Sequence, residues 1–110
     1  MTGKVVANEQ VVPNVYRLVL EAPKVARRAK AGQFVIVIPD PHGERVPFTL
    51  SDWDAEKGTI TIFYQEAGVS TMKLTRIRAG ESVYVVVGPL GRPTKIENHQ
   101  LSNLQRREDL

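Results

Sequence analysis

Two short stretches carry the residue types that could do chemistry. In Arg45-Val46-Pro47-Phe48-Thr49-Leu50 an aromatic ring and a hydroxyl stand side by side on a predicted strand. Such a hydroxyl can donate to an edge nitrogen of a flat heterocycle while apolar neighbours lie along the ring's face. Pro47 removes one backbone donor, which a sheet tolerates at an edge or a bulge, so this strand should keep one open side. In Gly68-Val69-Ser70-Thr71 a glycine and two hydroxyls open a predicted helix. Glycine permits close backbone approach, and the first N–H groups of a helix lack internal partners, which together suit a diphosphate. Lys73, read as first-turn, adds positive charge where the helix alone would disfavour it. Between the stretches, Phe63 and Tyr64 must face opposite ways on their strand; the reading places Phe63 in the core and Tyr64 toward the ligand. Taken singly, a strand threonine or a serine before a helix is ordinary. The pairing of the two stretches is what raises them.

Composition excludes several chemistries. The 110 residues contain no cysteine, which removes disulfides, thiolate zinc sites, iron–sulfur ligation and cysteine nucleophiles from this chain. His42 and His99 are far apart and lack carboxylates at ligand spacing, so no metal is expected. Fifteen Lys and Arg against 12 Asp and Glu leave a net charge of +3, compatible with an anionic ligand without demanding nucleic acid. The cationic runs, Lys24 to Lys30 and Arg106-Arg107, read as solvated faces or tails. Neither a signal-like amino terminus nor a membrane-length apolar segment is present, and the chain is read as cytoplasmic.

The elements that must position these residues are strands. Gly3 to Val12, Val15 to Ala22, Gln33 to Ile38, Val46 to Ser51, Thr59 to Gln65 and Ser82 to Val87 are rich in Val, Ile, Thr, Phe and Tyr and are bounded by turn residues. Pro13-Asn14 separates the first two, and Asp54 to Gly58 joins the fourth to the fifth as a hairpin. In Val15 to Glu21 the alternation puts Tyr16, Leu18 and Leu20 on the core face. Phe34 to Ile38 and Val83 to Val87 are apolar throughout, as expected of central strands or of strands whose outer face something else covers, either a second domain or a cofactor. The fold class is all-β: about six antiparallel strands in a Greek-key barrel, with one short helix at Thr71 to Arg78, capped by Ser70 and stopped by Gly80. The barrel domain is assigned to residues 1–97. The rigid, turn-rich Gly88 to Pro93 leads out of it, and residues 98–110 read as an irregular or short-helical tail.

In this order the motifs resemble the flavin-binding half of the ferredoxin–NADP reductase superfamily, particularly dihydroorotate dehydrogenase electron-transfer subunits and the small subunit of NADH-dependent ferredoxin:NADP oxidoreductase, also called sulfide dehydrogenase. The likeness spans roughly Lys4 to Ile96. It rests on Ala31-Gly32-Gln33-Phe34, Val46 to Leu50, Gly68 to Thr71 with Leu74, Ala79-Gly80-Glu81 and Gly88-Pro89-Leu90-Gly91. The superfamily's first motif is arginine, any residue, tyrosine, serine. Its aromatic borders the isoalloxazine, its hydroxyl approaches N5, and its arginine holds the pyrophosphate. Phe48 and Thr49 take the aromatic and hydroxyl places, Val46 stands at the arginine position, and Arg45 lies one residue early. Gly68, Ser70 and Thr71 match the pyrophosphate-facing motif.

The resemblance implies an FAD-binding half of an NAD(P)H-dependent electron-transfer oxidoreductase, with Thr49 beside the reacting flavin. Its cofactor-binding set is Arg45, Val46, Pro47, Phe48, Thr49, Leu50, Tyr64, Gly68, Val69, Ser70 and Thr71. It also implies an NAD(P)-binding domain or subunit and an iron–sulfur electron-transfer partner, so the chain is not expected to turn over alone. The alternative reading is a small β-barrel that binds single-stranded nucleic acid through Phe48, Tyr64 and Trp53 with Arg45 and Lys73 nearby.

Overall fold

A computed structural model describes residues 3–93 of the chain. Strands β1 (Gly3–Val12) and β2 (Val15–Glu21) form a hairpin whose turn places Asn14 at φ 66, a left-handed conformation that asparagine tolerates. Helix α1 (Pro23–Arg28) follows, then β3 (Phe34–Ile38), β4 (Val46–Thr49), β5 (Asp52–Asp54), β6 (Thr59–Gln65), helix α2 (Val69–Thr75), β7 (Ser82–Val83) and β8 (Val85–Leu90). All pairings are antiparallel and fall into two sheets, β5-β6-β2-β1-β7 and β4-β3-β8. The all-β class therefore holds, with eight strands where about six were expected and ladders that do not close into one ring among the described residues.

The chain passes from one sheet to the other within two residues. Leu50 donates its N–H to the carbonyl of Gln33, just before β3 of the three-stranded sheet, and Ser51 donates to Thr61 in the five-stranded one. The expected hairpin runs from the strand at Val46 through Asp54 to Gly58 into β6. The structure inserts the short β5 between them, so the hairpin partner of β6 is β5. The exit at Gly88 to Leu90 likewise remains strand, with Phe34 opposite Leu90.

The core lies between the sheets. Inward-facing Val5, Leu18, Leu20, Ile60 and Ile62 from one meet Val35, Val37, Phe48 and Val86 from the other. Leu18 and Leu20 are inside as their alternation predicted. Val25 and Ala26 of α1 close one part of this core, and Leu74 of α2 another. Helix α1 lies in the run read only as a solvated basic face. Six residues are too few to show helical periodicity, but Pro23 opens the helix and Arg27 and Arg28 occupy its last turn, where each is favoured. The expected tail at 98–110 and His99 lie outside the described residues. No helix among them is long and apolar enough to cross a membrane.

Candidate functional site

The site begins with the alternation of β4 and the residues flanking it. Arg45, Pro47 and Thr49 are exposed, whereas Val46 is half-buried and Phe48 and Leu50 are buried. One face therefore carries an arginine, a proline ring and a hydroxyl, while the other belongs to the core. Arg45 stands one residue away from the place where the superfamily carries its arginine, and this offset puts it on the same open side as Thr49. Val46 and Leu50, both expected at the cofactor, point inward; Leu50 spends its N–H on Gln33. Phe48 has only 9% of its surface free, yet it borders the open face together with Pro47 and Thr49.

The neighbouring strands extend this face. Thr49 lies opposite Phe34, Pro47 opposite Ile36, and on the far side of β3 Val87 is opposite Ile36 and Leu90 opposite Phe34. Because directly paired residues share a face, these six form one continuous outer surface, apolar except for the Thr49 hydroxyl. None of them is buried. An open depression of about 310 Å³ is sunk into it, lined by Gly32, Phe34, Pro47, Phe48 and Thr49. Central placement or a covered outer face was expected of Phe34 to Ile38 and of Val83 to Val87; β3 is central, whereas the second run divides between the edge strands β7 and β8, and the outer face of the three-stranded sheet is open among the described residues.

Tyr64 requires a correction. It is 4% exposed and Phe63 is 48% exposed, the reverse of the expected arrangement. The parity of β6 is set by Ile60 and Ile62, which are fully buried, and position 64 continues their face. Tyr64 stacks on its cross-strand partner Tyr16 with ring centroids 5.4 Å apart and meets the edge of Phe48 at 5.8 Å. Its hydroxyl donates to Asn8 Oδ1 at 2.9 Å. Burial pushes that hydroxyl above its ordinary titration range, with the bond to Asn8 acting in the opposite direction. Tyr64 thus supports Phe48 from behind and does not front a ligand.

The second stretch also differs in detail. Helix α2 starts at Val69, two residues earlier than predicted, with Gly68 as the preceding residue and no side-chain cap from Ser70. Thr71 does the local work: its Oγ1 accepts from the Ala67 N–H at 2.8 Å and donates to the Gly68 carbonyl at 3.2 Å. The first internal bond runs from the Met72 N–H to the Gly68 carbonyl, so the N–H groups of Val69, Ser70 and Thr71 have no partner within the helix. Space beside Gly68 is open. Lys73 falls in the last turn and pairs with Asp40 at 3.5 Å, so its position needs no bound anion to explain it. The expected stop at Gly80 gives way to an end at Arg76.

Two polar residues escaped the sequence reading. Gln33, 8% exposed, accepts from the Lys30 N–H and donates to the Gly91 carbonyl, pinning the end of β8 beside Phe34. Asn8 binds both Tyr64 and the end of α2. The only sequence-level signal for Gln33 was its place in Ala31-Gly32-Gln33-Phe34; Asn8 had none. Among the described residues no group of three His, Cys, Asp or Glu side chains comes together.

No family model matches the chain. Among curated relatives, an uncharacterized protein in the adh 3' region of Clostridium beijerinckii is 39% identical over 104 residues, covering 94% of this chain and 35% of the relative. The dihydroorotate dehydrogenase B (NAD(+)) electron transfer subunit homolog of Thermotoga maritima is 32% identical over 97 residues, covering 88% and 34%. The chain is homologous to a part of each of these proteins. It spans about a third of the length of the relatives it matches. The solved NADH-dependent reduced ferredoxin-NADP oxidoreductase, studied for flavin-based electron bifurcation, superposes with a TM-score of 0.85 at 32% identity, covering 87% of this chain and 35% of that one. The siderophore-interacting protein SipS of Aeromonas hydrophila, at 18% identity and TM-score 0.66, shares the fold alone. The superfamily resemblance read from the motifs is thereby supported by both sequence and structure.

Proposed function

We propose that this chain is the FAD-binding half of an NAD(P)H-dependent electron-transfer oxidoreductase, with the nicotinamide site and an iron–sulfur acceptor carried on other domains or subunits. The observation that carries the reading is the outer face of the three-stranded sheet. It is apolar, open among the described residues and marked by one hydroxyl, Thr49, with Arg45 on the same side of the chain. A flat ring system with a polar edge matches such a surface, and the homology to electron transfer subunits points the same way.

In this reading Phe34, Pro47 and the exposed edge of Phe48 lie along the ring and keep water from it. Thr49 Oγ1 would donate a hydrogen bond to the polar edge of the ring. Arg45 and the free N–H groups of Val69, Ser70 and Thr71 hold the diphosphate. Helix α2 has only seven residues, so these N–H groups act mainly as hydrogen-bond donors rather than through a macrodipole. When bound, the flavin supplies the exchange between paired electrons from a nicotinamide and single electrons to an iron–sulfur centre. The nucleic-acid reading loses its aromatic platform, because Tyr64 is buried and Trp53 packs against the core.

The test is a flavin titration of the purified chain. Uptake of FAD, seen as a shifted, structured absorbance band and a change in flavin fluorescence, supports the reading. Absence of any uptake at FAD concentrations up to about 1 mM, the weak end of specific binding, refutes it.

A further inference from the structure

Helix α2 is too short to be stable by itself and must be held by what it touches. Leu74 anchors it in the core, and Asn8 of β1 supplies a second tether. Asn8 Nδ2 donates to the carbonyls of both Leu74 and Ile77 at 2.9 Å, at the end of the helix where carbonyls lack the usual N–H four residues on. Its Oδ1 accepts the Tyr64 hydroxyl at 2.9 Å. Carbonyl oxygens only accept, so the nitrogen must face α2 and the oxygen must face Tyr64. Tyr64 in turn touches Phe48. One side chain thus connects the strand bearing Phe48 and Thr49 to the element that begins with Gly68.

We propose that Asn8 is a positioning residue: it sets the distance between the β4 face and the Gly68–Thr71 turn, so that the ring and the diphosphate of one flavin nucleotide are engaged together. This rests on the flavin reading above. Releasing Asn8 leaves the β4 face in place and frees the turn. The loss should therefore fall on ligands that span both parts and spare a ligand that uses only the ring face.

The experiment compares FAD with riboflavin, which has the same ring and no diphosphate, on the full chain and on the variants Asn8→Ala and Tyr64→Phe, with amide hydrogen exchange read across Val69–Thr75. For Asn8→Ala the expected result is FAD binding weakened by about tenfold, riboflavin held within about twofold, and faster exchange confined to α2. Tyr64→Phe removes only the hydroxyl and should shift the same FAD-to-riboflavin ratio by about threefold. A folded Asn8→Ala chain with the wild-type ratio overturns the role of Asn8 and leaves the flavin reading standing. Should Asn8→Ala fail to fold, the Tyr64→Phe ratio decides, and an unchanged ratio overturns the role. A wild-type chain that takes up neither flavin overturns the flavin reading itself, together with this role.

Discussion

Residues Phe48 and Thr49 are adjacent yet point to opposite sides of β4, so substituting Thr49 should act on binding alone and substituting Phe48 chiefly on folding. Thr49 is exposed, and its hydroxyl has no partner among the described residues. Thr49→Val keeps the branched shape that a strand prefers and removes only the hydroxyl, so stability should change by less than about 0.5 kcal/mol. One neutral hydrogen bond to a ring edge is worth about 1 kcal/mol net, which converts to an FAD affinity lower by about fivefold. Phe48→Leu works the other way. The residue is only 9% exposed, and its ring contacts that of Tyr64 edge-on with centroids 5.8 Å apart. Losing that contact costs about 1 kcal/mol, and the imperfect refilling of its space costs up to about 1.5 kcal/mol more. For a domain of this size the melting temperature should fall by roughly 10 °C. Thermal melts followed by circular dichroism and flavin titrations on the same two variants provide the assay. If Thr49→Val lowers stability by more than about 1 kcal/mol, the inside-out assignment of β4 is wrong; if it leaves FAD affinity within about twofold, Thr49 makes no hydrogen bond to the ring.

Gly91 sits at φ +85, and an added Cβ would lie 3.0 Å from Phe34 Cε1; Gly91→Ala should therefore cost about 1–2 kcal/mol in urea unfolding and weaken FAD binding by displacing Phe34. Gly58, at φ +70 with Pro23 atoms 3.1 to 3.3 Å from the Cβ position, should show a similar stability loss on substitution by Ala, with flavin affinity unchanged. Burial raises the Tyr64 titration in the folded state, so its contribution is complete below about pH 10, the ordinary tyrosine value, and is lost as pH rises above it; Tyr64→Phe should flatten the fall in stability between about pH 10 and 12. Asp40 and Lys73 form an exposed pair at 3.5 Å, and Asp40→Asn should change stability by less than about 1 kcal/mol, with any effect vanishing in high salt.

Much of this fold was legible because period-two patterning is a direct imprint of one buried face. The ends of β1 and β6 fall where the alternating residues begin and stop, and Leu18 and Leu20 are core as their spacing demands. The departures have separate local causes. At Phe63-Tyr64 residue type was allowed to outrank parity, whereas Ile60 and Ile62 had already fixed which side of β6 faces inward. A buried tyrosine is costly only until its hydroxyl finds a partner, and that partner, Asn8, is 56 residues away. Helix α1 and strand β5 were missed because six and three residues cannot display a period. Of the proposed site, the open side of β4 was foreseen from Pro47. Parity alone puts Arg45 and Thr49 on one face and Val46 and Phe48 on the other; that the first of these faces is the exposed one depends on which face the core claims.

The position of Thr49 follows from the path of the chain. β4 is an edge strand, and Pro47 withholds an N–H that a further strand would need. Two residues after Thr49 the backbone has already bonded to the other sheet at Thr61, so the outer face of the three-stranded sheet ends abruptly beside the hydroxyl. That crossing is anchored by the core: Leu50 is buried and its N–H is held by Gln33, whose side chain also fixes Gly91 beside Phe34. The hydroxyl, the apolar strip and the glycine exit are therefore placed by one buried glutamine and one sheet crossing rather than by a mobile loop. A ligand met there finds its apolar face and its single donor already arranged, and little ordering cost stands between contact and binding. Under the flavin proposal this arrangement would suit a coenzyme held in place between an electron donor and an electron acceptor, with Gln33 and Leu50 acting from behind the face, where both are buried.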